Sequence, residues 1–168
     1  MTFYLMKPGT KQIKDHRSRI FIFIILGAVI FLIALTISAF FVPQLRVLHV
    51  LQALIYVTII ILVTRNVPWI LGAGVFISIF WNCFNLFITH LIQSGGGQLF
   101  SLIRTGQVTR PDTLMVFVGG IGHFILIAAC SVAFIKSEPG KIQWVQFFGG
   151  GLLAVAYLIL IVSIVAPR

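Results

Sequence analysis

Five long runs of apolar residues constrain this chain more than any other feature of its sequence. A hydrocarbon core about 30 Å thick is crossed by roughly 20 helical residues, and the runs lie at about 20–42, 47–64, 68–92, 113–135 and 142–166. Within lipid, a single segment can satisfy its own backbone hydrogen bonds only as a helix. The runs also lack the alternating segments of about ten residues that build a membrane β-barrel. The sequence therefore predicts an all-α fold, a polytopic transmembrane helical bundle with five spans.

Composition indicates a chain that is surrounded by lipid. Of the 168 residues, 60% are hydrophobic and 9% are charged, whereas soluble domains carry about 25% charged residues. We expect a multi-pass protein of a bacterial inner membrane or an equivalent membrane, with one transmembrane domain at 20–168. The segment at 93–112 is expected to form an outer surface loop. The alternative is a short interfacial or re-entrant helix over "QLFSLIRTG".

The basic residues predict an orientation. Cytoplasmic flanks of membrane spans are enriched in Lys and Arg, and the formal net charge here is +9. With the N-terminus inside, more basic residues face the cytoplasm than face outward, which favours N-in and C-out. The inner set is Lys7, Lys11, Lys14, Arg17, Arg19, Arg65, Lys136 and Lys141, and the outer set is Arg46, Arg104, Arg110 and Arg168.

A basic cytoplasmic arm at 1–19 precedes the first span. Its charges are expected to contact anionic lipid headgroups or to be solvated. Nucleic acid is not an expected partner, because the sequence holds no separate basic domain that could carry such an interface.

The third span carries its polar residues on one face. On a helical wheel at about 100° per residue, six small or polar residues fall within an arc of roughly 100°, and the phenylalanines lie opposite. The six are Gly74, Ser78, Asn82, Asn85, Thr89 and Gln93. Two interpretations stay open. The face packs against neighbouring helices through small residues and asparagine hydrogen bonds, or it lines the path of a polar solute.

Three histidines within the predicted spans are the candidate cofactor ligands. His49 and His90 lie near the outer ends of their spans, and His123 lies deeper, level with Asn82 and able to bond to it. Histidines on different helices can ligate a haem or a chlorin, but a lone histidine in a span more often bonds to a neighbouring helix. The cofactor stays unknown: none is expected, haem or chlorin is the alternative, and no metal-binding motif occurs.

Residues that could perform catalysis are sparse. The three acids, Asp15, Asp112 and Glu138, fall outside the spans, whereas ion-coupled carriers place carboxylates near the membrane midplane. No GxSxG motif, paired carboxylates or phosphate-binding glycine loop occurs. We therefore expect no enzymatic activity.

These observations favour a non-enzymatic membrane subunit that acts through helix–helix contacts with copies of itself or with other membrane subunits. Two alternatives stay open. One is a channel or carrier for a small neutral or anionic solute, with Asn82 and Asn85 at its constriction. Its outer vestibule would hold Arg46, His49, His90 and Arg104. The other is a haem- or chlorin-bearing subunit of an electron-transfer or light-harvesting complex.

Overall fold

A computed structural model describes the backbone of residues 9–65 and 67–165, with side chains from Arg19 onward. The regular structure of these residues is entirely helical. A short 3-10 turn at Pro43–Leu45 joins the first two helices, and a π-helical segment at Phe84–Ile88 follows the third. The six α-helices are α1 Gly9–Phe41, α2 Arg46–Val63, α3 Pro68–Cys83, α4 Leu91–Thr105, α5 Pro111–Ile135 and α6 Lys141–Val165.

Five helical segments of the described chain are long and apolar enough to cross a membrane, the number that the sequence predicted. They lie at Arg19–Phe41, Pro43–Val63, Pro68–Ile88, Pro111–Ile135 and Lys141–Val165. Prolines stand at or near the start of three of them, since a first helical turn has no partner for the missing N–H. The protein is thus of the multi-pass membrane class, and its orientation stays a prediction.

Helix α1 begins ahead of the predicted first span. The sequence predicted a separate arm at 1–19, whereas the helix runs without a break from Gly9 to Phe41. The predicted lipid contacts of the arm depend on side chains before Arg19, which lie outside the described residues. The backbone of the basic segment from Gly9 onward therefore belongs to helix α1.

The segment at 93–112 is mostly helix rather than the surface loop that the sequence favoured. Helix α4 runs from Leu91 to Thr105, and Gly106 ends it with a φ of 71°, the left-handed conformation that glycine adopts readily. With 15 residues, α4 is about 22 Å long at 1.5 Å per residue, too short to span. A Cβ at Gly95 would overlap the carbonyl oxygen of Thr113 in α5, so the glycines allow close packing here.

The third span ends earlier than predicted and changes its helical period. After α3 stops at Cys83, the π-helical segment inserts extra backbone, and His90 then adopts a left-handed conformation with a φ of 56°. A uniform wheel drawn to Gln93 is therefore wrong beyond Phe84, because each π-helical turn holds more residues than an α-helical turn.

Glycines allow the helices to pack closely within the chain. A Cβ on Gly72 or on Gly150 would overlap the backbone of Phe147 or of Trp69, which brings α3 and α6 together. At the crossing of α1 and α5, a Cβ on Gly27 would lie 2.8 Å from the carbonyl oxygen of Gly122. Helices in lipid associate through such close backbone approaches. Among the five candidate spans, those that contain α3 and α5 have the largest share of buried residues.

Candidate functional site

A buried set of hydrogen-bonded side chains joins α2, α3 and α5 at the centre of the bundle. His123 of α5 lies 2.6 Å from the hydroxyl of Tyr56 through Nε2, and 3.3 Å from Asn82 Oδ1 through Nδ1. Because Asn82 Oδ1 only accepts hydrogen bonds, Nδ1 of His123 carries the proton and Tyr56 donates to Nε2. Phe31 stacks on the imidazole at 4.1 Å, and Trp81 meets it edge-on at 4.7 Å. We call these five residues the His123 cluster.

The His123 cluster bears on the cofactor hypothesis. Both ring nitrogens of His123 have protein partners, which leaves neither one free to ligate iron or magnesium. His90 is exposed and pairs with Gln93 Oε1 at 3.2 Å, outside the cavity described next. In the described part of the chain, no three His, Cys, Asp or Glu side chains converge to hold a metal ion. The geometry therefore does not favour ligation by His90 or His123. His49 lines the cavity, and its buried Nδ1 has no partner among the described residues.

A cavity of about 630 Å³ lies beside the His123 cluster. It extends from the cluster toward the end of the bundle where α1 meets α2, and α1, α2, α5, α6 and the α3 to α4 segment enclose it. Phe31 and Trp81 belong both to the cluster and to the cavity lining. The remaining wall is largely hydrocarbon and aromatic, with Leu35, Leu48, Phe80, Val116, Leu158 and Val162 among its residues.

Three polar side chains of α1 and α2 face the cavity with unused hydrogen-bonding capacity. Gln52 is 8% exposed and Ser38 is 9% exposed, and among the described residues neither side chain has a hydrogen-bond partner. The Nδ1 atom of His49 is buried and likewise has no partner there. Buried polar groups are normally paired, so these three residues mark where a polar group of a ligand, or water, would bind. We call Ser38, His49 and Gln52 the polar wall.

On the opposite side of the cavity, the polar residues are largely paired with one another. The Asn85 amide donates to the carbonyl oxygen of Trp81 at 3.0 Å, and its Oδ1 accepts from the Thr89 hydroxyl at 3.2 Å. Both residues line the cavity, but most of their hydrogen-bonding capacity is used within their own segment. The unused capacity therefore lies mainly on the polar wall.

The cavity lining holds no Lys or Arg among the described residues, and its one carboxylate is paired. Asp112 accepts a hydrogen bond from Arg110 at 2.9 Å, and its side chain is partly exposed. Arg46 donates to the carbonyl oxygen of Ala39 at 3.1 Å, and Arg104 is exposed on α4. Of the predicted vestibule of Arg46, His49, His90 and Arg104, only His49 lines the cavity.

The predicted polar stripe is divided between packing and the cavity. A Cβ on Gly74 would lie 2.9 Å from Sγ of Cys130, and Asn82 bonds to His123. Ser78 is fully buried between them, without a partner for its hydroxyl among the described residues. Asn85 and Thr89 line the cavity. Gln93 lies beyond the helix break, is exposed, and donates to the carbonyl oxygen of Leu86.

The sequence placed Gln52 on one helix face with His49 and Tyr56, but neither Gln52 nor Ser38 was among the candidate site residues. Gln52 carried a signal, since it follows His49 by three residues and precedes Tyr56 by four, and such spacings share a helix face. Ser38 carried only the weak signal of a serine in the last turns of an apolar span.

Comparison with known proteins adds no assignment. No protein-family model matches the chain, and no curated protein and no solved structure shows significant similarity to it. The function is therefore argued from the cavity and its lining.

Proposed function

We propose that the protein is a membrane-embedded binding protein for one largely hydrocarbon molecule that carries a small polar head. The observation that carries the proposal is the cavity of about 630 Å³ with its apolar lining and its few polar groups. Ligand-binding cavities commonly measure about 300–1,000 Å³ and combine apolar walls with a small number of polar side chains. A ligand that partitions into lipid would reach this cavity from the membrane itself.

This proposal is the carrier alternative of the sequence in a changed form. The solute is lipophilic, and its polar contacts lie at the polar wall and Asn85. Asn82 does not serve as a constriction in this proposal, because its carbonyl oxygen is already engaged by His123. Arg46 and Arg104, which would have favoured an anionic solute, do not line the cavity.

Fluorescence of Trp81 tests the proposal, because Trp81 lines the cavity whereas Trp69 and Trp144 do not. We would purify a variant in which Trp81 is the only tryptophan, with Trp69→Phe and Trp144→Phe. ω-Bromoundecanol, whose bromine quenches nearby indoles, would be titrated in detergent and in lipid nanodiscs. We expect saturable quenching of Trp81, and we expect unlabelled undecanol to reverse it by competition.

Two controls separate cavity binding from general partitioning. A protein that retains Trp69 alone, which is 37% exposed, should show quenching that rises linearly without saturation. Ala34→Phe places an aromatic ring in the cavity, since Ala34 lines it and is 3% exposed, and should abolish saturable quenching of Trp81. Linear, non-competable quenching of Trp81 would contradict the proposed function.

The subunit hypothesis stays a prediction beside this proposal. The glycines that allow close packing contact helices of the same chain, as at Gly72 and Gly150. The large apolar side chains that remain exposed, among them Phe23, Val47 and Leu153, suit lipid as well as they suit a partner helix. Native mass spectrometry from nanodiscs would measure the oligomeric state directly, and a stable dimer or hetero-complex would support the hypothesis.

A further inference from the structure

We propose that the polar wall of Ser38, His49 and Gln52 selects ligands with an uncharged oxygen-bearing head, a hydroxyl or a carbonyl, over ligands of the same length with a charged head. This inference rests on the proposed function, because it assigns the head-group chemistry of the same cavity.

The first argument is the unused capacity of the wall. Gln52 is more than nine-tenths buried and offers two N–H donors and a carbonyl acceptor. Its amide has no hydrogen-bond partner among the described side chains and backbone groups. A polar group that faces an apolar cavity without a partner is unfavourable, and a hydroxyl or carbonyl oxygen of a ligand would supply the missing hydrogen bond.

The second argument is the placement of the three residues. Ser38 lies near the end of α1, and His49 lies in the first turn of α2, with Gln52 one turn further along the same helix face. All three line one cavity, and Nδ1 of His49 is buried without a described partner. A ligand in this cavity would therefore meet a wall that holds both hydrogen-bond donors and acceptors.

The third argument is charge. An ionised head that leaves water pays several kcal/mol unless an opposite charge meets it. No Lys or Arg of the described chain lines the cavity to meet an anion. The one carboxylate that could meet a cation, Asp112, is already bonded to Arg110 at 2.9 Å. The lining thus disfavours both signs of charge.

Asn85 does not replace the wall as the recognition group. Its carbonyl oxygen accepts from Thr89 and its amide donates to Trp81, so it offers a ligand less than Gln52 does. Selection by head group is therefore expected to depend on Gln52 more than on Asn85.

The test is a series of brominated probes that share one hydrocarbon tail and differ in the head. The probes are ω-bromoundecanol, ω-bromoundecanoate, ω-bromoundecyl trimethylammonium and bromoundecane, each titrated against the protein that retains Trp81 alone. We expect the alcohol to bind at least about tenfold more tightly than either charged probe, because an unpaired ion in the cavity stays undersolvated. The bare hydrocarbon should bind more weakly than the alcohol.

Gln52→Leu assigns the selectivity to the wall. It should weaken binding of the alcohol by about three- to tenfold, the equivalent of one hydrogen bond, and leave binding of bromoundecane unchanged. Unchanged hydrocarbon binding also shows that the variant is folded. Gln93→Leu is the matched control, since Gln93 is exposed and does not line the cavity. Ser38→Ala provides a second, smaller change in the wall.

The outcomes separate this inference from the proposed function. Saturable binding with equal affinity for all heads, or with no effect of Gln52→Leu and Ser38→Ala, would overturn the inference and leave the proposed function standing. Preference for the carboxylate or the ammonium probe would overturn it as well. Absence of saturable binding for every probe would remove both.

Discussion

At the scale of single residues, the hydrogen bond between Tyr56 and His123 joins two side chains that are both fully buried. Tyr56 is 1% exposed and His123 is 0% exposed, and their atoms lie 2.6 Å apart. Hydrogen bonds between membrane helices stabilise a fold by about 0.6–2 kcal/mol each. Leaving one partner unpaired costs more, because the remaining group cannot turn to water.

Tyr56→Phe tests this bond, since it removes one hydroxyl and leaves the ring in place. We expect the free energy of unfolding to fall by about 1–3 kcal/mol, because Nε2 of His123 loses its only donor. The measurement is reversible unfolding in mixed micelles of denaturing and mild detergent, followed by circular dichroism.

Tyr157→Phe is the matched control for that variant. The Tyr157 hydroxyl donates to the carbonyl oxygen of Leu51 at 3.1 Å in a partly buried position, and this carbonyl lies within α2. We expect a loss of about 0.5–1.5 kcal/mol, the usual value of one neutral hydrogen bond. Equal losses for both tyrosines would show that burial of His123 adds nothing to the strength of its bond.

One of the two hydrogen bonds of His123 could be predicted from the sequence, and the other could not. The bond between His123 and Asn82 was predictable, because equal depth in two antiparallel spans brought the two residues level. The choice of Tyr56 as the second partner was not, because it depends on which face of α2 meets α5. That pairing is decided by packing of many side chains, including Phe31, whose ring lies 4.3 Å from the Tyr56 ring and 4.1 Å from the His123 ring.

At the scale of elements, neighbouring glycines of α6 have opposite surroundings. A Cβ at Gly150 would overlap the backbone of Trp69, whereas a Cβ at Gly149 would meet nothing within 4 Å. The two glycines are neighbours in one helix, so a change to alanine alters helix propensity similarly at both. A difference between the two variants therefore reports the close packing at Gly150.

Gly150→Ala is expected to lower the free energy of unfolding by about 1–3 kcal/mol, because α3 and α6 must move apart to admit the methyl group. Gly149→Ala is expected to raise it by about 0.5–1 kcal/mol, because alanine loses less backbone entropy in a helix than glycine does. Both are measured by the same unfolding assay. A destabilising Gly149→Ala with a neutral Gly150→Ala would contradict the described contact between α3 and α6.

Helix α4 shows why the sequence favoured a surface loop at 93–112 and kept a short helix over "QLFSLIRTG" only as the alternative. Three consecutive glycines, Gly95, Gly96 and Gly97, are typical of a flexible loop. The helix forms nonetheless, because two of them face α5, where Gly95 meets Thr113 and Gly96 meets Phe117. Tertiary contact thus overrides local propensity. The π-helical segment is equally hidden, since no residue type in "FNLFI" marks it.

At the scale of the whole molecule, the class of the fold was predictable and the cavity was not. Five apolar runs leave few alternatives to five membrane-spanning helices, and their bounds agree closely with the described spans. The cavity arises because ring and branched side chains on five separate segments fail to meet near Phe31 and Trp81. The size of the cavity depends on distances between side chains of different helices. The hydrophobic periodicity of a single helix does not give those distances.

The orientation of the molecule decides which leaflet could supply a ligand, because the cavity extends from the His123 cluster toward the α1–α2 end of the bundle. The basic residues predict that this end faces outward. Cysteine labelling in intact cells tests the prediction in a Cys83→Ala background, with the fully buried Cys130 retained. Gln107→Cys and Ser137→Cys place exposed thiols in the connections at opposite ends of α5.

A membrane-impermeant maleimide should label Gln107→Cys in intact cells and Ser137→Cys only after permeabilisation. The reverse pattern would refute the N-in orientation, and the polar wall would then lie toward the cytoplasmic leaflet. The ligand would in that case be drawn from lipids of that leaflet. The route of entry is tested with the same brominated alcohol, added to one side of proteoliposomes whose protein orientation is known from the labelling. The measurement is the delay between addition of the probe and quenching of Trp81.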